Sequence, residues 1–148
     1  MKYIQTIIDS MPVGLERSLG RILSQRVGKA NAIEREELLE LVRKQPGCKR
    51  VQDRQMRKMI QTLREKGIRI CHFEQWVQNE PGRMRKVFGY YLAGNETEYN
   101  EFRAWYLSYA NTIWKAVRSM DARREILTAD GTVEPPAGIE IQGNLFSM

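Results

Sequence analysis

Up to Gly67 the apolar residues recur at helical spacing. Tyr3, Ile4, Ile7 and Ile8 mark a short leading helix over residues 1–11 that Pro12 interrupts. Leu15, Leu19, Ile22 and Leu23 mark a second helix running to Gly28, a residue suited to a helix C-terminus. Ala32 and Ile33 read as a brief extended piece. Leu38, Leu39, Leu41 and Val42 supply the buried side of a third helix, acidic in its first turn at Glu34, Glu36 and Glu37 and ended by Gln45, Pro46 and Gly47. A fourth begins at Asp53, whose carboxylate is placed to cap open backbone N–H groups, and stops at Gly67. Met56, Met59, Ile60 and Leu63 form its buried edge.

Beyond Gly67 the period shortens from helical to alternating. Ile68, Ile70 and Phe73, then Val87 and the GYYLA segment at 89–93, predict a hairpin with a long tip over Asn79, Glu80, Pro81 and Gly82. From Asn95 the pattern is helical again, with Asn95 or Thr97 as cap and about 30 residues before Thr128, roughly 45 Å of helix. Tyr99, Phe102, Tyr106, Tyr109, Ile113, Ala116 and Met120 follow steps of three and four, a heptad seam that implies a helix both packed on its own domain and paired with a second copy, with a helix folded entirely against its own domain as the ordinary alternative. Trp105, Trp114 and Val117 widen it. Residues 127–138, with Asp130, Gly131, Pro135, Pro136 and Gly138, read as a linker before IEIQGNLFSM.

This order defines a mainly α fold with a small β-hairpin, a winged helix-turn-helix followed by a long C-terminal helix and a flexible tail. Residues 1–94 would be a DNA-binding domain, 95–126 a long helix suited to dimerisation, and 127–148 a linker with a peptide-motif tail.

Charge sharpens this picture through its distribution. The net charge is +6 and the pI about 9.5. Residues 1–94 hold 19 Lys and Arg against 10 Asp and Glu, 95–126 are balanced, and 127–148 are acidic. Between Arg43 and Arg69 there are 10 bases and 2 acids. The positive field therefore surrounds the fourth helix, whose outer edge carries Arg54, Gln55, Arg57, Lys58, Gln61 and Arg64. In the major groove arginine reads guanine, glutamine reads adenine, and the remaining cations hold phosphates. A solvated surface helix is the ordinary alternative. Arg83, Arg85 and Lys86, on the returning arm of the hairpin, would reach backbone phosphate or the minor groove. Edge-strand protection is their ordinary alternative.

Other chemistry is sparse. One histidine and two cysteines offer no catalytic set, no Gly-rich phosphate loop is present, and an enzyme is not expected. Cys48, Cys71 and His72 lack the paired spacing of a zinc site, so neither metal nor cofactor is expected. No apolar run approaches the roughly 18 to 20 residues of a membrane span, and no signal-peptide order opens the chain, which points to the cytoplasm.

Two resemblances add to this reading. The run from Arg54 through Gly67, with Ile68, Ile70 and GYYLA at 89–93, resembles the small winged-helix proteins of bacteriophages and prophages, over about residues 33–124. The hairpin segment HFEQWVQNEPGRMRK is longer than in that type. Gln142, Leu145 and Phe146 resemble the Q-x-x-L-F peptide by which bacterial replication and repair proteins bind the DNA polymerase sliding clamp, although Gly143 stands where that motif usually has leucine. In such a peptide the leucine and phenylalanine enter an apolar pocket and the glutamine amide sets orientation, with micromolar affinity, around −8 kcal/mol, as the natural scale.

The resemblances imply a phage-type duplex-DNA-binding protein of DNA replication that recruits the host sliding clamp. A dimeric winged-helix transcriptional regulator and a non-enzymatic protein-interaction adaptor are the alternatives. The expected partners are duplex DNA, the clamp and a second copy through Tyr99, Phe102, Tyr106, Tyr109, Ile113 and Met120, without a membrane.

Overall fold

The computed structural model describes residues 2–122 and two short strands at 126–127 and 133–134. The chain divides into two compact units, Met1–Phe102 and Arg103–Met148. Its fold is mixed α and β. Among the described residues there are five α-helices, α1 (Lys2–Ser10), α2 (Leu15–Ser24), α3 (Arg35–Arg43), α4 (Asp53–Glu65) and α5 (Glu96–Ala122). Strands β1 (Ile33–Glu34), β2 (Ile70–Glu80) and β3 (Arg83–Leu92) form an antiparallel sheet in the order β1-β3-β2. In the second unit β4 (Ile126–Leu127) pairs with β5 (Val133–Glu134).

In the first unit α1 to α4 enclose one apolar core. Ile8, Leu19, Leu23, Leu38, Val42, Met56, Ile60 and Leu63 are all buried there. Ile33, Ile70, Tyr90 and Leu92 close it from the sheet. The helices form where the apolar spacing placed them, because each must bury its single stripe. Their ends differ from expectation. Helix α2 stops at Ser24 rather than Gly28, since the backbone beyond it joins the sheet: Gly28 N–H donates to Leu92 O at 2.8 Å, and Leu92 N–H donates to Arg26 O at 2.8 Å. The extended piece is Ile33–Glu34, paired with Tyr90 and Gly89, so the hairpin is part of a three-stranded sheet.

The hairpin tip is also tighter than its composition suggested. Strand pairing runs to Glu80 opposite Arg83, leaving Pro81 and Gly82 as a two-residue turn. Gly82 has φ 79°, the left-handed position that a turn with proline before it reserves for glycine. The surplus residue is absorbed by a register shift between Gln78 and Glu80 instead of by a loop.

Asn95 caps α5, its side-chain oxygen accepting the Glu98 N–H at 2.9 Å. The Glu98 carboxylate then accepts N–H groups from Gly94 at 2.8 Å and Lys29 at 2.7 Å, tying the first turn of α5 to the loop after α2. Phe102 is buried, and the Tyr99 ring lies under Arg69, 4.0 Å from guanidinium to centroid. Two of the six residues expected to pair with a second copy thus serve their own unit. In the second unit Tyr106, Tyr109, Ile113 and Met120 are exposed, Ile113 by 65% and Met120 by 64%. Trp105 meets Tyr109 edge to face at 4.8 Å. Among the described residues no helix is long and apolar enough to cross a membrane.

Candidate nucleic-acid interface

Helix α4 is held firmly at both ends. At its start the Gln55 carboxamide oxygen accepts the Gln52 N–H at 2.8 Å, one arm of a capping box, so Asp53 is not the cap. At its end Gly67 N–H donates to Arg64 O at 2.9 Å and Ile68 N–H to Leu63 O at 3.2 Å, with Gly67 at φ 89°. This is the glycine-closed helix terminus, sealed by the buried Ile68 and Leu63. Met56, Ile60 and Leu63 lock the inner face into the core.

That anchoring decides what the outer face offers. At 100° per residue Arg54, Lys58 and Gln61 lie opposite the buried stripe, and all three are exposed. Arg54 and Lys58 form no ion pair among the described residues. Gln55, also exposed, is committed to the cap. Arg57 pairs with Asp53 at 2.8 Å, and the same carboxylate reaches Arg35 at 3.4 Å. Arg64 departs most from the expected role. One turn beyond Ile60, it flanks the buried stripe, donates from Nε to Ile70 O at 2.9 Å and stacks 5.1 Å over the Phe102 ring. It connects α4, β2 and the start of α5 rather than facing outward.

The three hairpin cations are exposed. Arg83 sits at the tip opposite Glu80. Arg85 approaches Glu34 at 3.9 Å, and Lys86 pairs with Glu74 at 2.7 Å. Exposed pairs of this kind are weak enough for a phosphate to displace either partner.

Arg35, Trp76 and Phe88 belong to the same surface and were missed in the sequence. Arg35 bridges helix and hairpin, its Nε near Asp53 and its guanidinium 5.3 Å over Phe88. The rings of Phe88 and His72 stack at 5.9 Å with 14° between planes. Burial pushes the His72 imidazole below its ordinary range; Glu74 opposes this, and Arg64, Arg35 and Lys86 reinforce it. At neutral pH it is therefore a neutral ring. The alternation of His72, Glu74 and Trp76 was the signal that could have placed Trp76 on this face.

Cys48 and Cys71 are buried free thiols. Burial raises Cys71 to about 11, which keeps it protonated at neutral pH. Among the described residues no group of His, Cys, Asp or Glu is arranged to hold a metal ion. Gln142, Leu145 and Phe146 lie outside the described residues. No protein-family model and no curated protein matches this chain.

Proposed function

We propose that this chain is a winged helix-turn-helix protein that binds duplex DNA, with α4 in the major groove and the β2–β3 hairpin as the wing. The element order α2-β1-α3-α4-β2-β3, closed by the sheet order β1-β3-β2, supports this reading. The observation that carries it is local. Arg54 and Lys58 stand exposed on the face of α4 opposite the core, while Arg57, Arg35 and Lys86 continue the cationic surface onto the hairpin. Contact with about five phosphates gives a log-log salt slope near −4.5, so titrating a duplex at increasing salt tests the proposal. A slope near zero would support the adaptor reading instead.

Within that reading we assign the protein to phage-type DNA replication, with Gln142, Leu145 and Phe146 recruiting the host sliding clamp. The phage-type reading rests on the sequence of Arg54 through Gly67 with Ile68, Ile70 and GYYLA at 89–93, and the clamp and replication reading on residues 142–146. Clamp binding in the micromolar range, abolished by Leu145→Ala with Phe146→Ala, is the expected result. Its absence in the unsubstituted chain would favour a regulator dimerised along Tyr106, Tyr109, Ile113 and Met120. The exposure of those apolar residues is what favours that second reading.

A further inference from the structure

We propose that the outer part of the hairpin stacks an unpaired base on Trp76, so that the preferred ligand is DNA in which a duplex meets a single strand. The inference rests on the DNA-binding reading and adds to it the form of the DNA. Opposed residues of an antiparallel pair share a face, and the register places Trp76 opposite Lys86, Glu74 opposite Phe88 and Gln78 opposite Met84. This face belongs to the core at Ile70, Tyr90 and Leu92 but is open to solvent farther out. Trp76 is 61% exposed and Met84 57%. Protecting an edge requires charges alone, which Arg83, Arg85 and Lys86 already provide, and leaves an outward tryptophan unexplained.

The size of the apolar area and its surroundings identify the occupant. A stable protein partner covers about 800 Å² on each side. One indole offers about 150–250 Å², the scale of a single base. One cation adjoins it and a second lies farther in along the same face: the Lys86 ammonium is 6.0 Å from the Trp76 ring and 5.5 Å from Phe88, and Arg35 of α3 covers Phe88. A base on the indole would bring its phosphate to this charge, with Glu74 giving up Lys86 in exchange. Inside an intact duplex both faces of each base are taken by its neighbours, and a blunt end opens only the outer face of its terminal pair. The indole therefore favours an unpaired base, which a single strand joined to the duplex supplies.

The test uses the full chain and three labelled ligands: a blunt duplex, the same duplex with a single-stranded thymidine tail, and the tail alone. The tailed duplex should bind about tenfold more tightly than the blunt one. Trp76→Ala should remove that preference, bringing the affinity for the tailed duplex down to that for the blunt one, whereas Trp76→Phe should retain most of it. Equal affinity for tailed and blunt duplexes overturns the inference and leaves duplex binding intact. So does a preference that survives Trp76→Ala, or loss of clamp binding in that variant with DNA binding unaltered, which would make the face a protein contact. Failure to bind any of the three ligands overturns the DNA-binding reading as well.

Discussion

Gly89→Ala should destabilise the first unit by about 3 kcal/mol or more, although it adds only one methyl group. The reason is space rather than backbone conformation. A Cβ at Gly89 would stand 2.2 Å from the carbonyl oxygen of Ile33 and 2.2 Å from the Phe73 ring. The ring can rotate, but the carbonyl belongs to β1, whose pairing places Glu34 opposite Gly89 and Ile33 opposite Tyr90. Admitting the methyl group means separating β1 from β3, and Ile33 and Tyr90 are both core residues. A urea titration should show a lower midpoint at an unchanged slope. A loss below about 1 kcal/mol would show that β1 pairing contributes little and that the strands part easily.

The second large effect separates two arginines that look alike in the sequence. Replacing Arg54 and Lys58 together with alanine should remove two phosphate contacts, reduce the salt slope by about 2 and weaken duplex binding by about tenfold or more. Both side chains are exposed, so folding stability should hardly change. Arg64→Ala should do the reverse. It loses the bond to Ile70 O and the stack on Phe102, costs about 2 kcal/mol of stability and leaves the salt slope of the folded protein unchanged. Equal salt slopes in the Arg54/Lys58 variant and the unsubstituted protein would remove α4 from the interface. A flattened slope in Arg64→Ala at full stability would return that residue to it.

The contrast shows how far the sequence could be read. Helices α1 to α4 follow from apolar spacing and Gly67 from helix-end chemistry, since both depend only on neighbours a few residues away. The same locality explains Asn95 as the cap of α5. Arg54 and Lys58 were legible because positions opposite a buried stripe have no alternative but solvent. Arg64 was not, because its direction depends on Ile70 and Phe102, 6 and 38 positions away. Trp76 and Phe88 came together only through the register between β2 and β3.

By itself, then, the sequence determined where α1 to α5 and the β2–β3 hairpin form, where the positive charge gathers and which stripe of α1 to α4 is buried, but not the β4–β5 pair, which falls where residues 127–138 read as a linker. These are properties of short segments, set by side-chain period and backbone conformation. Tertiary structure alone decided that β1 joins β3, that Gly89 must lack a side chain and that α2 ends early against Leu92. It also decided that Tyr99 and Phe102 serve their own unit, and that Arg35 joins the face of α4 to the hairpin rings. Each of those outcomes depends on close packing between residues distant in the chain, where the placement of one backbone settles which atoms the other can hold.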